Sequence, residues 1–538
     1  MTQATQPALG RRLLLQASAG LLALPASRAA WAKDATLRIG MAAAPSAMDP
    51  HYHVLATNQS VLSHIFETLV RQDAAQKLIP GLAASWRLVG DTTWEFQLRE
   101  GVAFHDGSPF TAADVVFSLG RVPKVPNSPS SFAIFLKQIA TTEVVTPHVI
   151  RFHTHAPYPD LPIDLSQIAI LSETAAAGPV PEGKTTQQLN AGDGTIGTGP
   201  YRFVSFTPND RVVLAPNPSY WGDRQPWSAV TIMAISSSAS RVAALLAGDV
   251  DLIEKVPGED ALKLRGNPAL RVMVTPSNSV FYLCFDQARD DSPGVTDANG
   301  RNPLRDPRVR KALSIAIDRE RLTERILSGL GQPAAELAAP GMFGATPDAQ
   351  VDKFDPEAAR KLLSEAGYPN GFGLTLATTN GFYVQDAQLA QSIAAFWTRV
   401  GVRTKVEALP STVFYTRRNA RGFSAYFTSM SIITGQASDT LKLLAATQDP
   451  KRGLGQTNFG GYSNPRVDAL IDEAARTMDP RLREQALQQA SRIVTVDDHG
   501  ILAIAIEKIG YACRNAIEYS PRVDKWVTAM QTRPAAAG

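Results

Sequence analysis

The chain has 538 residues, well beyond the roughly 250–300 at which one hydrophobic core stops growing, so at least two lobes are expected. Hydrophobic residues make up 44% and charged residues 19% of the sequence, which excludes a coiled coil, a collagen repeat and a long disordered tract. The formal charge of +3 rests on Arg11, Arg12 and Arg28. Without these three, 50 basic residues balance 50 acidic ones, so charge gives no argument for nucleic acid or membrane surfaces as partners.

Residues 11–32 are typical of an export signal. Arg11 and Arg12 supply a basic head, a short apolar stretch follows, and Ala30-Trp31-Ala32 fits a small-x-small cleavage site. We therefore expect a cleavable signal peptide at 1–32 and a periplasmic mature protein. The arginine pair before three leucines hints at twin-arginine export, and the general secretory route stays open. No cysteine lies near the cleavage site and no other apolar run reaches about 20 residues, so neither a lipid anchor nor a membrane span is expected.

Two cysteines, Cys284 and Cys513, are too few for a disulfide scaffold. Cys284 lies in the apolar run Val280–Phe285, where a buried, unpaired thiol is the simplest interpretation. A Cys284–Cys513 bridge is the alternative, because sparse thiols also suit an oxidising compartment.

Strand and helix patterns alternate along the chain. Period-two or compact apolar runs predict strands at 36–40, 93–98, 201–206, 211–215, 230–234, 251–253 and 403–407. Apolar residues at helical spacing predict helices at 58–70, from 111 onward, and at 238–247, 307–329, 355–366, 388–400, 466–477 and 480–496. Residues 121–131 and 172–199 are rich in Pro, Gly, Ser and Thr and predict loops. This interleaving favours an α/β fold whose sheet faces are covered by helices.

Two helix starts are predicted in detail. Thr111 is expected to cap a helix whose third position is Asp114. Asp355 is expected to cap the helix predicted at 355–366, with Pro356 at the first helical position and Gly367 ending the helix.

Two strings imitate nucleotide-binding loops without their context. Residues 178–185 match the phosphate-loop pattern, but Pro179 and Pro181 remove backbone donors, and no helix with an apolar face is expected after it. Residues 192–197 match the dinucleotide fingerprint, but they follow a loop and Pro200 stops any helix. A hydrolase resting on Lys184 is therefore the weakest of the functional alternatives.

Metal and enzyme motifs are equally poor. His51-x-His53 and His153-x-His155 each place two imidazoles on one face of a predicted strand, but no further ligands of matching type lie nearby. The sequence has no Gly-x-Ser-x-Gly elbow, and neither cysteine has the flanking pattern of a nucleophile. The basic cluster Arg417-Arg418-x-x-Arg421 is a solvated helix face or, alternatively, an anion site.

Four segments in order resemble the family 5 extracellular solute-binding proteins, the peptide-, nickel- and opine-binding class of ABC importers. The first contains Leu82-Ala-Ala-Ser-Trp86 and Phe96-x-Leu-Arg-x-Gly-Val-x-Phe-His-Asp-Gly-x-Pro-Phe-Thr-Ala-x-Asp114-Val115. The second contains Gly197-Thr-Gly-Pro-Tyr201, Asn217-Pro-x-Tyr-Trp221 and Gly248-Asp-Val-Asp251. The third is Asp306-Pro-Arg-Val-Arg-Lys-Ala-Leu313 with Ala316-Ile-Asp-Arg319, and the fourth is Asp355-Pro-x-x-Ala-x-Lys-Leu-Leu-x-Glu-Ala-Gly-Tyr368. Together they cover nearly the whole mature chain.

This resemblance implies a type II periplasmic-binding-protein clamshell, with two lobes joined by a hinge and an extra domain. It implies a discontinuous domain I at 33–65, 198–280 and 508–538, a domain II at 66–197 and a domain III at 281–507. The solute is expected between domains I and III, with no cofactor, no metal and no catalysis. Expected partners are a small, peptide-like solute and the permease subunits of an ABC transporter, with the protein itself a monomer. A sensor or chaperone of the same fold is the alternative function.

The resemblance also implies where the solute binds. Peptide-binding members carry Gly-Trp-x-x-Asp-x-x-Asp-Pro, whose first Asp holds the peptide amino group. Aligning the last two positions with Asp439-Thr440 places Gln436 at that Asp and Ile432-Ile433 at Gly-Trp. A neutral amide does not match a carboxylate for an ammonium ion, so close mimicry of a dipeptide binder is in doubt, with Asp439 as a substitute. The full set of expected ligand-binding residues is Ala44, Pro45, Ser46, Phe132, Glu254, Tyr282, Arg418, Gln436 and Asp439. Core packing is the alternative for Phe132 and Tyr282.

Overall fold

A computed structural model describes residues 1–2, 35–178, 183–298 and 300–535 of the chain. The predicted leader, apart from its first two residues, lies outside this range. The strands are β1 Thr36–Met41, β2 Val70–Gln72, β3 Leu78–Pro80, β4 Ala83–Gly90, β5 Thr93–Leu98, β6 Ile139–Thr146, β7 Val149–Thr154, β8 Tyr201–Thr207, β9 Arg211–Pro216, β10 Ala229–Ala234, β11 Leu252–Ile253, β12 Leu270–Phe285, β13 Val295–Thr296, β14 Gly331–Pro333, β15 Phe372–Thr379, β16 Val402–Leu409, β17 Ala425–Ser431, β18 Ile501–Arg514, β19 Ile517–Tyr519 and β20 Thr532–Pro534.

The α-helices are α1 Ala56–Leu62, α2 Ala112–Arg121, α3 Leu161–Leu165, α4 Glu173–Ala176, α5 Thr186–Asn190, α6 Ser238–Ala247, α7 Gly258–Leu264, α8 Pro307–Ile315, α9 Arg319–Arg321, α10 Pro356–Glu365, α11 Asp386–Arg399, α12 Ser411–Asn419, α13 Ala437–Thr440, α14 Pro465–Arg476 and α15 Pro480–Arg492. Short 3-10 turns lie at Val122–Lys124, Phe132–Leu136, Pro303–Arg305 and Ala529–Gln531, and π-helical turns at Leu322–Ile326, Leu441–Ala445 and Ile493–Asp497. None of the helices in the described part of the chain has the length and hydropathy needed to cross a membrane.

One large sheet organises the molecule. Within the described residues it has twelve strands, ten of them in the order β13-β15-β17-β12-β18-β11-β1-β10-β9-β8, with β14 paired to β18 and β16 to β15. β1 is parallel to β10 and β11, and β15 is parallel to β16 and β17. A separate four-stranded antiparallel sheet, in the order β4-β5-β7-β6, belongs to the segment 66–197, which we call the insert.

Two long strands carry the large sheet from one half of the molecule to the other. β12 pairs antiparallel with β18, and the register shifts between Pro276 and Val280. On one side of this shift β18 pairs with β11, which pairs with β1. On the other side β12 pairs with β17, which pairs with β15. We call residues 277–507 the second lobe and the rest of the described chain, including the insert, the first lobe. The chain crosses between lobes only at these two strands, which form a hinge.

Separate hydrophobic clusters fill the lobes. In the second lobe the alternating residues of β12 face opposite ways, with Tyr282 in one cluster and Phe281 in the other. The first lobe has a cluster around Ile39 and Val230 and a smaller one against α6 and α7. The insert has its own cluster around Phe96.

The sequence predictions of strands are confirmed at all seven positions. Three helix or loop predictions are wrong in part. The helix expected at 58–70 ends at Leu62, and Val70 already begins β2. The region 307–329 is broken, because Asp318 accepts a hydrogen bond from the Arg321 N–H and starts a new helix. The loop expected at 172–199 contains α4 and α5.

The predicted caps are confirmed. Thr111 and Asp114 form a reciprocal capping box at the start of α2. The Asp355 side chain accepts from the Ala358 N–H and starts α10. In the family motif Gly197-Thr-Gly199, the Gly199 N–H donates to the Ile65 carbonyl at 2.9 Å. A Cβ at Gly197 would lie 2.0 Å from that same oxygen, so the motif is a site of close backbone approach.

The interpretation of Cys284 as a buried, unpaired thiol is confirmed, and the alternative of a Cys284–Cys513 bridge is wrong. Cys284 and Cys513 are both free and buried. Cys284 pairs with Ile501 near one end of β18, whereas Cys513 lies near the other end, about 40 Å away at strand spacing. Burial raises the pKa of the Cys513 thiol to about 11, so both cysteines are buried packing residues.

Three histidines of the first lobe are neutral rings, of which His51 and His64 are buried and His105 is half-buried. His64 donates from Nδ1 to the Val61 carbonyl and accepts at Nε2 from the Ala529 N–H. His51 contacts the Ala169 carbonyl and the Arg121 guanidinium, so it is not one of a pair on a strand as predicted. His105 lies between the Gly199 carbonyl and the Gly197 N–H. Burial lowers the pKa of each of these histidines to about 4. No cluster of metal-ligating side chains occurs among the residues described.

The buried imidazoles predict acid sensitivity. The pKa of His64 is lower in the folded than in the unfolded protein, so the unfolded state takes up the proton first as the pH falls below about 6.5. His64 alone should therefore remove roughly 2 kcal/mol of unfolding free energy between pH 7 and pH 5. Denaturant unfolding at both pH values should show this difference shrinking in His64→Gln. The exposed His155→Gln is the matched control, and an unchanged difference in His64→Gln would refute the assignment.

Candidate functional site

The carboxyl ends of the parallel strands in both lobes point toward the hinge. In the first lobe, Ile253 at the end of β11 lies opposite Ala512 of β18. In the second lobe, Ser431 at the end of β17 lies opposite Ser279 of β12. The loops that follow these strands therefore face a common crevice. Ligands of open α/β sheets bind at such carboxyl ends.

The crevice wall of the second lobe carries exposed apolar side chains. Phe382 and Val384 follow β15, Val413 follows β16, and Ile433 follows β17, and their exposed fractions lie between 39% and 55%. Phe382 stacks edge-on against Tyr383 and Tyr415, which fixes its position. These side chains therefore form an apolar wall that is partly exposed to solvent in this structure.

A cavity of about 340 Å³ lies in the first lobe, where α1, the insert and the C-terminal segment meet. Its size is within the range of small-molecule sites. Apolar walls come from Leu62, Phe66, Phe132, Trp526 and Met530. Four glutamines also line it: Gln59, Gln72, Gln167 and Gln531.

The charged groups that line this cavity are bound by protein partners. Glu67 is buried and accepts hydrogen bonds from the Tyr220 hydroxyl at 2.9 Å and the Trp221 indole at 2.7 Å. Burial raises the pKa of Glu67. Arg522 forks onto the carboxylate of Asp524, with its Nη2 2.6 Å from Oδ2.

The turn at 73–77, between β2 and β3, connects the cavity with the second lobe. Gln72 donates to the Thr434 carbonyl at 2.8 Å, and Gln76 donates to the Ile433 carbonyl at 2.8 Å. The Gln76 side chain packs against Gly435, whose φ is 74°. A Cβ at Gly435 would lie 2.6 Å from the Gln76 Cβ. This contact needs glycine, both for its backbone angle and for its missing side chain.

A buried ionic contact also joins the insert to the second lobe. Asp160 follows Pro159 in the insert, and its carboxylate is 2.8 Å from the Lys442 Nζ. The Arg483 guanidinium contacts the other oxygen of Asp160 and also the amide oxygen of Gln436. Arg483 stacks over the Phe343 ring at 4.8 Å.

A second cavity, of about 490 Å³, lies beside this contact. Trp94, Pro159 and Ile163 of the insert form one wall, and Phe343 and Arg483 of the second lobe form the other. The turn at 73–77 separates it from the first cavity.

The first-lobe residues predicted for the site have different positions. Phe132 lines the first cavity. Ala44, Pro45 and Ser46 follow β1 at the crevice edge, and the Ser46 N–H donates to the Asn58 side chain at 3.0 Å. Glu254 is buried beneath this loop, where it accepts a 2.8 Å hydrogen bond from the Ala42 N–H. Its carboxylate therefore supports the loop.

Gln436 and Asp439 lie at the second cavity and beside it. Gln436 lines the cavity and is bound to Arg483. Asp439 accepts from the backbone and hydroxyl of Thr434 at 2.9 and 2.8 Å. Burial raises the pKa of Asp439. Its carboxylate is occupied by its own loop, so it does not take the place of the missing carboxylate at Gln436.

The structure does not bring Tyr282 or Arg418 to either cavity. Tyr282 is 2% exposed in the core of the second lobe, as in the packing alternative. Arg418 stacks over Tyr415 and Phe459 at 4.6 and 4.7 Å. Its neighbour Arg417 pairs with Glu407, so the basic cluster does not converge on an anion site.

The phosphate-loop string is also explained by local structure. Lys184 pairs with Asp193 at 2.8 Å, and Thr185 caps α5 in a capping box with Gln188. A helix does begin here, contrary to the sequence prediction, but it has only five residues. Residues 179–182 of the string lie outside the described range.

Several residues at the crevice were not found from the sequence. They are Gln59, Gln72, Gln167, Asp160, Lys442, Arg483, Arg522 and Lys525. Lys525 contacts Ser279, Ser431 and Glu507 across the hinge. These residues are spread over more than 400 positions of the sequence and form no local motif. Only Gln59 could have been noticed, because it is a polar residue beside the apolar face of α1.

Comparison with known proteins agrees with this architecture. Residues 77–451 match the model of the bacterial extracellular solute-binding proteins, family 5. The glutathione-binding protein GsiB of Escherichia coli K12 is 29% identical over 498 residues, covering 90% of this chain and 91% of that protein. The periplasmic binding protein DppA of Helicobacter pylori, solved with the peptide STSA, superposes with a TM-score of 0.72 at 21% identity, covering 93% of this chain and 98% of that one. The ABC transporter substrate-binding protein CtaP of Listeria monocytogenes superposes with a TM-score of 0.80 at 19% identity, covering 93% and 99%.

The buried Asp160 contact gives a stability prediction. Asp160→Asn leaves Lys442 and Arg483 without their anion, which should lower the free energy of unfolding by about 3–5 kcal/mol. Urea denaturation measures this loss. The matched control is Asp91→Asn at an exposed turn of the same insert, and equal stability of the two variants would contradict the prediction.

Proposed function

The chain belongs to family 5 of the bacterial extracellular solute-binding proteins, and on this premise we propose that it captures a peptide-like solute in the first-lobe cavity and the adjoining crevice. It is a solute-binding component of an ABC transporter and not an enzyme. The observation that carries the proposal is the cavity of about 340 Å³ in the first lobe, where α1, the insert and the C-terminal segment meet.

The chemistry of the cavity supports a peptide-like solute. Aromatic and aliphatic walls surround several side-chain amides, which suits a molecule with both apolar groups and peptide groups. The relatives point the same way, since one is named for glutathione and another was solved with a peptide. In the motif alignment Gln436 takes the position of the Asp that holds the ammonium group in dipeptide binders, so we do not propose a simple dipeptide.

Capture follows from the hinge. The open crevice admits the solute, and contacts from both lobes then favour the closed form, because only that form binds the solute on both sides. The apolar wall at Phe382, Val413 and Ile433 would be covered in the same movement. The permease of the transporter would then recognise the closed pair of lobes.

We retain the predicted domain boundaries as part of this proposal. Domain I consists of 33–65, 198–280 and 508–538, domain II of 66–197, and domain III of 281–507. The separate hydrophobic clusters support this division. Ala44, Pro45, Ser46 and Phe132 remain proposed solute contacts, and the protein is proposed to act as a monomer in the periplasm.

Native mass spectrometry of the purified protein tests the proposed solute class directly. We expect a retained peptide-like molecule, or binding of added reduced glutathione or tripeptides. Small-angle scattering should show a smaller radius of gyration with the bound solute. Binding of none of these compounds, with no compaction, would reject the peptide-like class.

Blocking the cavity should abolish capture. Ser63 is half-buried and lines the cavity, so Ser63→Phe fills the space that the solute needs. We expect at least a roughly hundredfold loss of affinity by titration calorimetry, about 2.7 kcal/mol. Ser364→Phe, on an exposed face of α10, is the matched control. Equal affinity of the two variants would place the solute elsewhere.

The leader gives a separate prediction. We expect cleavage between Ala32 and Lys33, so that the N-terminal sequence of periplasmic protein begins at Lys33. Joint replacement of Arg11 and Arg12 by lysine distinguishes the two export routes. The general route needs only positive charge and should continue, whereas the twin-arginine route should stop. An intact leader on the exported protein would disprove the cleavage prediction.

A further inference from the structure

Three glutamines of the first cavity form one chain of hydrogen bonds. Gln59 Nε2 donates to Gln167 Oε1 at 3.2 Å. Gln167 Nε2 donates to Gln72 Oε1 at 3.4 Å. Gln72 Nε2 donates to the Thr434 carbonyl of the second lobe at 2.8 Å. The donors all run in one direction, from helix α1 through the insert to the second lobe.

The last acceptor fixes the orientation of every amide in the chain. A backbone carbonyl only accepts, so Gln72 must turn its NH₂ group toward Thr434 and its oxygen toward Gln167. Gln167 must then present its NH₂ group to Gln72 and its oxygen to Gln59. The orientation of Gln59 is therefore set by a backbone atom of the opposite lobe.

The hydrogen-bonding capacity beyond Gln59 is already used. The NH₂ group of Gln167 also donates to the Ser166 hydroxyl at 3.0 Å. The NH₂ group of Gln72 also donates to the Gln76 carbonyl at 3.3 Å. Within the described part of the chain, the Gln59 amide oxygen and one of its two N–H groups have no protein partner. Gln59 therefore offers one acceptor and one donor side by side, which complements the N–H and C=O of a peptide group.

Three of the charged groups that line the cavity already have protein partners. A fourth, Arg71, lies 3.7 Å from the Glu67 carboxylate and its side chain is 40% exposed. Glu67 is bound by Tyr220 and Trp221, and Arg522 by Asp524. The Asp73 carboxylate accepts from the N–H groups of Ala75 and Lys77, both at 2.9 Å. A charged part of the solute would find no free counter-ion among these three groups, and its desolvation would be costly.

We propose that Gln59 recognises an uncharged amide group of the solute and that Gln167 and Gln72 are positioning residues that hold the Gln59 amide in the required orientation. This inference rests on the proposed capture of a peptide-like solute in the same cavity. It narrows the solute to one whose cavity-bound part carries a peptide or carboxamide group.

The test compares amides with esters. The probes are reduced glutathione and trialanine, each beside analogues in which one backbone amide is replaced by an ester, which removes the N–H donor. Calorimetry on the full mature protein should show that the amide binds at least about tenfold more tightly than one of its esters, since a site built for a hydrogen bond rejects the analogue that lacks it.

The variants separate positioning from simple stability. Gln167→Met and Gln72→Met keep the length of the side chain but break the chain of hydrogen bonds between the glutamines. Both should therefore bring the ratio of amide affinity to ester affinity close to one. Gln489→Met is the matched control, because Gln489 lies on an exposed face of α15, outside both cavities, and should leave the ratio unchanged. A merely structural defect would weaken amide and ester binding equally and leave the ratio as in the wild type.

The outcomes distinguish this inference from the proposed function. Binding without any ester penalty, or a penalty that persists in both Gln167→Met and Gln72→Met, overturns the glutamine assignment and leaves solute capture intact. Absence of binding by every peptide probe rejects the proposed solute class, and the assignment falls with it.

Discussion

The two strands that pass between the lobes constrain everything else in the molecule. β12 and β18 must remain paired in both lobes while allowing the lobes to rotate, and the register shift between Pro276 and Val280 is where this conflict is resolved. Pro276 has no backbone N–H, so the irregularity costs no hydrogen bond from this residue to the neighbouring strand. The freed groups find other partners, since the Asn278 N–H donates to the Val523 carbonyl at 2.8 Å and the Asn278 side chain to the Ile432 carbonyl at 3.0 Å. The hinge is thus an irregularity with hydrogen bonds of its own and not a gap in the sheet.

The apolar and polar groups beside the hinge have different roles in closure. Apolar groups would contribute free energy, and polar groups would discriminate between solutes. The side chains of Phe382, Val413 and Ile433 are about half exposed, so each would contribute about 1 kcal/mol if closure buried the rest of its surface. Apolar burial has no direction and does not distinguish solutes. Discrimination has to come from oriented groups, and in the first cavity these are amides with a fixed direction. The ionic contact at Asp160 lies outside the cavity, where it joins the insert to the second lobe without presenting charge to the solute.

The fold was more predictable from the sequence than the site. Strand alternation, the cap at Thr111 and the stop at Gly367 are local signals, and each appears in the structure where the pattern indicated. The helix expected at 58–70 shows the limit, because Ile65 and Phe66 are apolar for packing while the backbone there already binds the 197–201 segment. Phe132, which lines the first cavity, was predicted as a site residue through family resemblance and not through a motif. Gln59, Gln72 and Gln167 could not be identified, since their connection exists only after three distant segments have folded together.

Gly435 determines how closely the two lobes approach each other near the hinge. Its missing side chain lets Gln76 rest directly on the backbone of the second lobe, so the lobes touch there with no slack. Even one methyl group at this position would act as a wedge close to the pivot, and a small displacement near a pivot becomes a large one at the far rim of the crevice. The absence of a side chain at Gly435 therefore permits the angle between the lobes that this structure shows, although Gly435 does not line the first cavity.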